Sequence, residues 1–192
     1  MKSLFKRAIY IVALICVLPL IIVSWIASRT GDGDRFFQGA SQCLSLAPFR
    51  LGVYLRAAYY STCCTNVHSE VAIGFLSLLS HKDTDMDQHV YIGAQCNIGS
   101  CNIGRDCLLG SGVHVLSGKE QHKFSDADIP IKEQGGSFKK ITIGENCWIG
   151  NNATIMSNIG SGSIVAAGSV VVSDVPPGSV VGGNPARTLK HR

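Results

Sequence analysis

The chain has 192 residues, enough for one compact domain and a short appendage; it is 46% hydrophobic and only 16% charged. That charge fraction is below the usual quarter or so of soluble domains, so part of the apolar sequence is expected to face lipid. Twenty-one glycines against six prolines exclude collagen-like and disordered classes, and a formal charge of +4 without a long basic run excludes a nucleic-acid partner.

Residues 8–27, AIYIVALICVLPLIIVSWIA, carry no charge and are long enough to cross a hydrocarbon core as a helix. Lys2, Lys6 and Arg7 precede them and Arg29 follows. A cleaved signal is the competing reading, but the apolar run is long for one, and Trp25 and Ile26 stand where small residues would be needed. Residues 1–30 are therefore expected to be an N-terminal membrane segment. The positive charges favour a cytoplasmic amino end, which in a simple span would put the following domain outside. Pro19 removes a helical hydrogen bond in mid-segment, and a kinked, re-entrant helix would leave both ends on the cytoplasmic side.

Residues 31–64 form a bridge that mixes Phe36, Phe37, Phe49, Tyr54, Tyr59 and Tyr60 with Arg35, Arg50 and Arg56. Leu51, Tyr54, Leu55 and Ala58 follow helical spacing. One expectation is an amphipathic helix in the membrane interface, aromatics toward lipid and arginines toward head groups. Another, compatible with it, is a helix closing the open end of the domain that follows.

From residue 67 an aliphatic side chain recurs mostly every six positions: Val67, Ile73, Leu79, Met86, Ile92, Ile98, Ile103, Leu109 and Val115, then Ile143, Ile149, Ile155, Ile159, Val165 and Val171. Glycine follows it at 74, 93, 99, 104, 110, 144, 150 and 160. Four places after it stand small or branched residues, among them Ser77, Val90, Cys96, Cys107, Val113, Cys147, Ala153, Ser163 and Ser169. Neither a helix nor an ordinary strand repeats at six. Short strands joined by tight turns do, wound into an all-β solenoid whose coils bury their inner rows only against one another. The hexads are enough for five or six coils across residues 65–192, broken once at 117–140. The eight cysteines show no zinc-finger spacing, and Cys96, Cys107 and Cys147 fall in the small-residue slot, so they are expected to pack as free thiols in a reducing compartment.

The stretches VYIG (90–93), SGKEQH (117–122), IKEQGG (131–136), ITIGENCWIG (141–150), SIVAAGSVV (163–171) and GGNPAR (182–187) resemble the bacterial hexapeptide-repeat acyltransferases, in particular those that acetylate sugar hydroxyls in polysaccharide and lipopolysaccharide synthesis. The resemblance covers about residues 50–190. It implies a left-handed parallel β-helix, a homotrimer with active sites between subunits, acetyl-CoA or another acyl-CoA as co-substrate, no metal, and a sugar or lipid-linked glycan as acceptor. It also places the β-helix on the cytoplasmic face of the inner membrane, where acyl-CoA is available.

Acyl transfer to a hydroxyl needs a base, and histidine suits that role near neutral pH. Of the six histidines, His122 lies in the long break, where a side chain leaves the solenoid without disturbing its core, and SGKEQH matches the family's block for the catalytic histidine. His114 is the reserve, and His81 suits a structural or acceptor-side place. Asp126, Asp128 and Glu133 are candidates to orient the imidazole; Glu133, in the KEQGG block, is preferred. Gly135 and Gly136 either offer an open backbone N–H or close the loop. The resemblance implies that Trp148, Asn151, Ala167, Gly168, Arg187 and Lys190 contact CoA, the two cations meeting its phosphates; Val172-Ser173-Asp174 departs from the family where threonine or lysine is usual. The competing functions are a non-catalytic membrane scaffold and a metal hydratase similar to the γ-class carbonic anhydrases, whose three converging histidines are not apparent here.

Overall fold

The computed structural model describes residues 2–192, with side chains from Lys6 onward; the side chain of Lys2, one of the charges before the apolar run, lies outside the described residues. Each hexad becomes a strand of two or three residues followed by a tight turn, and three hexads make one coil of a parallel β-solenoid. The first sheet stacks β1 (Asn66–Val67), β4 (Asp85–Met86), β7 (Cys101–Ile103) and β10 (Ile141–Ile143), continued by single bridges at Ile159 and Val175. The second stacks β2 (Ala72–Ile73), β5 (Tyr91–Ile92), β8 (Leu108–Leu109), β11 (Trp148–Ile149), β13 (Ile164–Val165) and β15 (Ser179–Gly183). The third stacks β3 (Leu78–Leu79), β6 (Asn97–Ile98), β9 (His114–Val115), β12 (Thr154–Ile155) and β14 (Val170–Val171). All of these pairings are parallel. β16 (Ala186–His191) alone runs back antiparallel along β15, a C-terminal hairpin that the hexad period does not announce.

The aliphatic column is the core: Ile73, Ile92, Ile98, Leu109, Ile143, Ile149 and Ile155 are fully buried. Glycine follows it because coils stack so closely. A Cβ on Gly93 would lie 2.6 Å from the Ser111 amide nitrogen, and one on Gly144 would lie 2.5 Å from that of Ser161. Where the small-residue slot is polar, the side chain has a partner: it donates to a turn carbonyl of the next coil. Ser77 Oγ donates to Gly93 O at 2.6 Å, Cys96 Sγ to Gly110 O at 3.2 Å, Cys107 Sγ to Gly144 O at 2.9 Å and Cys147 Sγ to Gly160 O at 3.3 Å. The cysteines are free thiols, as the hexad register predicts. Burial pushes the Cys96 thiol up, so it stays protonated and able to donate.

Three helices precede the solenoid: α1 (Lys2–Thr30), α2 (Gly33–Ser45) and α3 (Phe49–Cys63). α2 packs on β3 and α3 on β1 and β2, closing the first coil. Arg56 carries the join. It is completely buried, and its guanidinium donates to Ile73 O on the coil edge and to Leu44 O and Ala47 O at the C-terminus of α2, each at 2.9 Å. A cation there also meets the negative end of the helix dipole. Burial lowers its pKa from the ordinary value without discharging it. Phe37, Tyr59 and Tyr60 pack on one another in the same cap with no exposure at all. The expectation that arginines face head groups and aromatics face lipid therefore fails for Arg56, Phe37, Tyr59 and Tyr60, which form the cap instead. Pairing a buried cation with carbonyls outweighs its hydration, because those carbonyls would otherwise be orphaned.

α1 runs unbroken through Pro19 as one helix, without the return that a re-entrant segment needs. Within Lys6–Thr30 an 18-residue window has mean hydropathy 2.8, and the helix is long and apolar enough to cross a membrane. One stripe, with Ala13, Val17 and Ser24 buried, packs on α3 and α2; the other exposes Ile11, Ile15, Leu18, Ile22 and Trp25.

The break at 117–140 costs the stack no register. β10 pairs with β7 across it, Ile141 opposite Cys101 and Ile143 opposite Ile103. Substituting Arg56→Met should lower stability by about 3 kcal/mol, because several buried carbonyls lose a charged donor. Chemical denaturation followed by circular dichroism checks this; an unchanged midpoint would show that the cap does not depend on this residue.

Candidate active site

Residues 117–140 leave the corner between the third and first sheets as a finger. Its base is a ladder: Lys139 N donates to Ser117 O at 2.9 Å, Ser137 N to Glu120 O at 2.8 Å and Lys123 N to Gly135 O at 2.9 Å. His122 sits between the last two rungs, so its backbone is fixed while its imidazole is exposed and, among the described residues, hydrogen-bonded to none. Across the ladder, Gly136 approaches so closely that any Cβ would overlap the Gln121 carbonyl and lie 2.9 Å from His122 N. Of the two sequence readings of the glycine pair, loop closure is the one this contact supports.

Beyond the ladder the tip is clamped by Gln134, which sequence reasoning passed over. Its amide nitrogen donates to Asp126 O and Ile129 O, both at 2.7 Å, and its carbonyl accepts from Asp126 N at 3.1 Å. The signal was present as the glutamine of KEQGG. Asp126 Oδ1 accepts from Asp128 N, so that carboxylate is engaged within the tip. Glu133 lies in a single 3-10 turn, Ile131–Glu133, exposed, with Lys132 Nζ 3.9 Å from its carboxylate. No hydrogen bond joins Glu133 to His122 within the chain. His114 projects from the outer face of β9, between Asn97 and Thr154 in register. His81 rests against Phe138 at the finger base, ring centroids 6.2 Å apart.

A cleft of about 460 Å³ runs between the finger base and the next corners of the stack. Lys119, Glu120, Phe138 and Lys139 form one wall, and Asn158 and Asp174 lie on the other. Asp174 departs from the family pattern, and here it ties two corners together. Its Oδ1 accepts from Asn158 N at 2.9 Å, and Asn158 Oδ1 accepts from Thr142 N at 2.8 Å.

The expected cofactor residues gather elsewhere, on the second sheet and the corner after it. Trp148 points outward from β11, 54% exposed, and stands in register with Ile164, then Val180, then Lys190 across successive strands. Asn151 O accepts from Gly168 N at 2.8 Å, and Ala167 lies against Gly150, whose Cβ would overlap its amide nitrogen. Arg187 and Lys190 are exposed on β16, Arg187 opposite Gly182. The chain thus holds two groups on two different corners of the prism, the finger with His122 on one and the Trp148 face on the other. Among the described residues no group of three or more His, Cys, Asp or Glu is placed to hold a metal.

Fold and repeat together define a hexapeptide-repeat β-solenoid, and residues 140–173 match the family described as the hexapeptide repeat of succinyl-transferase. Among curated proteins, the chain is 35% identical over 106 residues to a macrolide acetyltransferase of Lysinibacillus sphaericus, spanning 47% of this chain and 59% of that one. It is 31% identical over 115 residues to WbbJ of Escherichia coli K12, which bears the name of a lipopolysaccharide biosynthesis O-acetyl transferase, spanning 56% and 57%. The match therefore covers little more than half the length of these relatives. Among solved structures, a maltose O-acetyltransferase from Clostridium difficile superposes with a TM-score of 0.72 at 21% identity over 82% of this chain and 86% of that one. A galactoside acetyltransferase in complex with coenzyme A gives 0.68 at 20% identity over 83% and 82%. At those identities the structures show a shared fold.

The Gly136 contact carries a prediction about the finger alone. Gly136→Ala should raise hydrogen-exchange rates at the Lys123 and Ser137 amides by about tenfold or more, while amides of the coils keep theirs, since the finger opens as its own unit. Unchanged finger protection would mean the ladder tolerates the added carbon.

Proposed function

We propose that this protein is an acyl-CoA-dependent O-acetyltransferase that acetylates a sugar hydroxyl in polysaccharide or glycolipid synthesis. The observation that carries the reading is the finger: a hexapeptide solenoid presents one exposed histidine, His122, on a braced excursion whose base residues, Lys119, Glu120, Phe138 and Lys139, line an open cleft. The curated relatives support it, since those matched carry acetyltransferase names, WbbJ for lipopolysaccharide.

Acyl-CoA supplies the acyl group as a thioester. His122 takes the proton of the acceptor hydroxyl as its oxygen attacks the thioester carbonyl, and returns it to the thiolate that leaves. Glu133 holds the imidazolium that forms between those steps. Backbone N–H groups meet the oxyanion. Trp148 offers an apolar plate to the pantetheine arm, Asn151, Ala167 and Gly168 a narrow edge that lets it lie close, and Arg187 and Lys190 charges for phosphates.

Within one chain His122 and the Trp148 face occupy different corners, so a homotrimer completes the site, the finger of one subunit meeting the second sheet of the next. The same pairing covers the outward row Tyr91, Leu108 and Trp148, each about half exposed in the single chain. Helix α1 holds the enzyme at the inner membrane with the solenoid in the cytoplasm, beside its acyl donor. The scaffold and metal-hydratase readings gain no support from the site.

Substituting His122→Ala should lower acetyl transfer on the order of a hundred- to ten-thousand-fold while CoA affinity and thermal stability stay near wild type. His114→Ala should cost far less. Near-normal turnover without His122 would move the base elsewhere, and equal loss of CoA binding would make His122 a binding residue. Light scattering of the detergent-solubilised protein should give three copies, and a fully active monomer would refute the shared site.

A further inference from the structure

The membrane attachment proposed above leaves open how α1 meets the bilayer. We propose that α1 is a monotopic anchor: it lies in the plane of an anionic phospholipid surface, outer face in the acyl region, and does not cross.

Its inner stripe touches the cap along almost its whole apolar length. Tyr10 hydroxyl bonds Ser61 Oγ at 2.8 Å near one end, Ser24 Oγ bonds the Tyr59 hydroxyl at 2.7 Å further on, and Lys82 Nζ on the first coil donates to Ser28 Oγ at 2.7 Å at the other. From Tyr10 to Ser28 is eighteen steps, about 27 Å of helix. The hydrocarbon core of a bilayer is about 30 Å thick. A perpendicular α1 would therefore draw α2, α3 and the edge of the first coil into hydrocarbon with it. α2 cannot follow, because Asp34, Arg35 and Gln42 on it are exposed. Charged side chains at bilayer depth are strongly disfavoured.

Laid flat, α1 satisfies every side. Ile11, Ile15, Leu18, Ile22 and Trp25 recur at helical spacing on one face, 47–64% exposed. Lys6, Arg7 and Arg29 are exposed near its two ends, suited to anionic head groups at both. Arg29 sits 4.6 Å from the Trp25 ring centroid, an aromatic–cation pair suited to the head-group level. The geometry also explains why the sequence reads as a span. An ordinary interfacial helix has a polar back, but the back of α1 is Ala13, Leu14, Val17, Leu20 and Ile21, apolar because it packs on protein. Two apolar faces, one for lipid and one for the cap, sum to the hydropathy of a crossing helix. No re-entrant turn is then needed to keep the solenoid on the side of its amino end.

The test uses the full chain in sealed vesicles of phosphatidylethanolamine and phosphatidylglycerol. With Cys16→Ala and Cys43→Ala removing the exposed thiols, Lys6→Cys and Thr30→Cys are labelled one at a time with an impermeant maleimide. Depth is read by brominated-lipid quenching in a Trp148→Phe background, with the indole at 25 or moved by Trp25→Phe with Ile11→Trp or Leu18→Trp. Expected are labelling of both positions from the face that carries the solenoid and one common depth for 11, 18 and 25, about 5–10 Å below the head groups. Labelling from opposite faces would overturn the proposal in favour of a span. A site at 18 much deeper than those at 11 and 25 would overturn it in favour of re-entry. Flotation with the vesicles but no quenching would overturn it in favour of α1 packing against other copies. Failure to float at all would sink membrane attachment itself, a different outcome from a wrong geometry.

Discussion

A coil in a parallel stack satisfies its backbone only through the coils on either side, so the first coil is left with an edge of amides and carbonyls facing nothing. Everything N-terminal to the solenoid answers that deficit. Arg56 reaches from α3 to a carbonyl of the open edge and to the last carbonyls of α2, so one side chain fixes two helices on one coil. Ser41 adds a second stitch, accepting from the Leu79 amide at 3.0 Å while bonded to Tyr60. Once α2 and α3 are seated, the surface they present outward is what α1 packs on. The placement of α1 is thus inherited from the hydrogen-bond needs of a strand edge.

The same stacking rule isolates the site from the fold. Because β7 and β10 pair in register across residues 117–140, the finger can vary in sequence without moving the core. Its own order comes from local hydrogen bonds, chiefly the three backbone rungs and the Gln134 clamp, so a histidine there is positioned by local turns and not by the stacked coils. Precision and freedom are divided between two parts of the chain.

The solenoid was readable in advance because its period is a direct image of its geometry: one aliphatic in, one glycine where coils touch, one small donor at the corner. Cysteine and serine recur in that last slot because each is small and each can offer a hydrogen to the next coil's carbonyl, so Cys96, Cys107 and Cys147 are structural thiols, as the register implied. What escaped was set by contacts distant in sequence. Arg56 looks like a surface charge in its own helix; only the carbonyls of residues 44, 47 and 73 make it a cap. The contacts of α1 are invisible to hydropathy, which counts apolar residues without asking what they touch; one stripe packs on α2 and α3. In the finger, the sequence located His122 and the glycines, but the part played by Gln134 needed the folded tip, and what orients the imidazole is not fixed within one chain.

At its far end the solenoid finishes differently. The second sheet, after six parallel strands, closes with β16 running the opposite way, carrying Arg187 and Lys190 on an exposed edge. A parallel coil is a mould for its own next coil, and two such ends meeting would grow into a fibre. Here the first coil is plugged by helices, and the second sheet is closed by a charged strand of reversed polarity, which disfavours end-on stacking at both places.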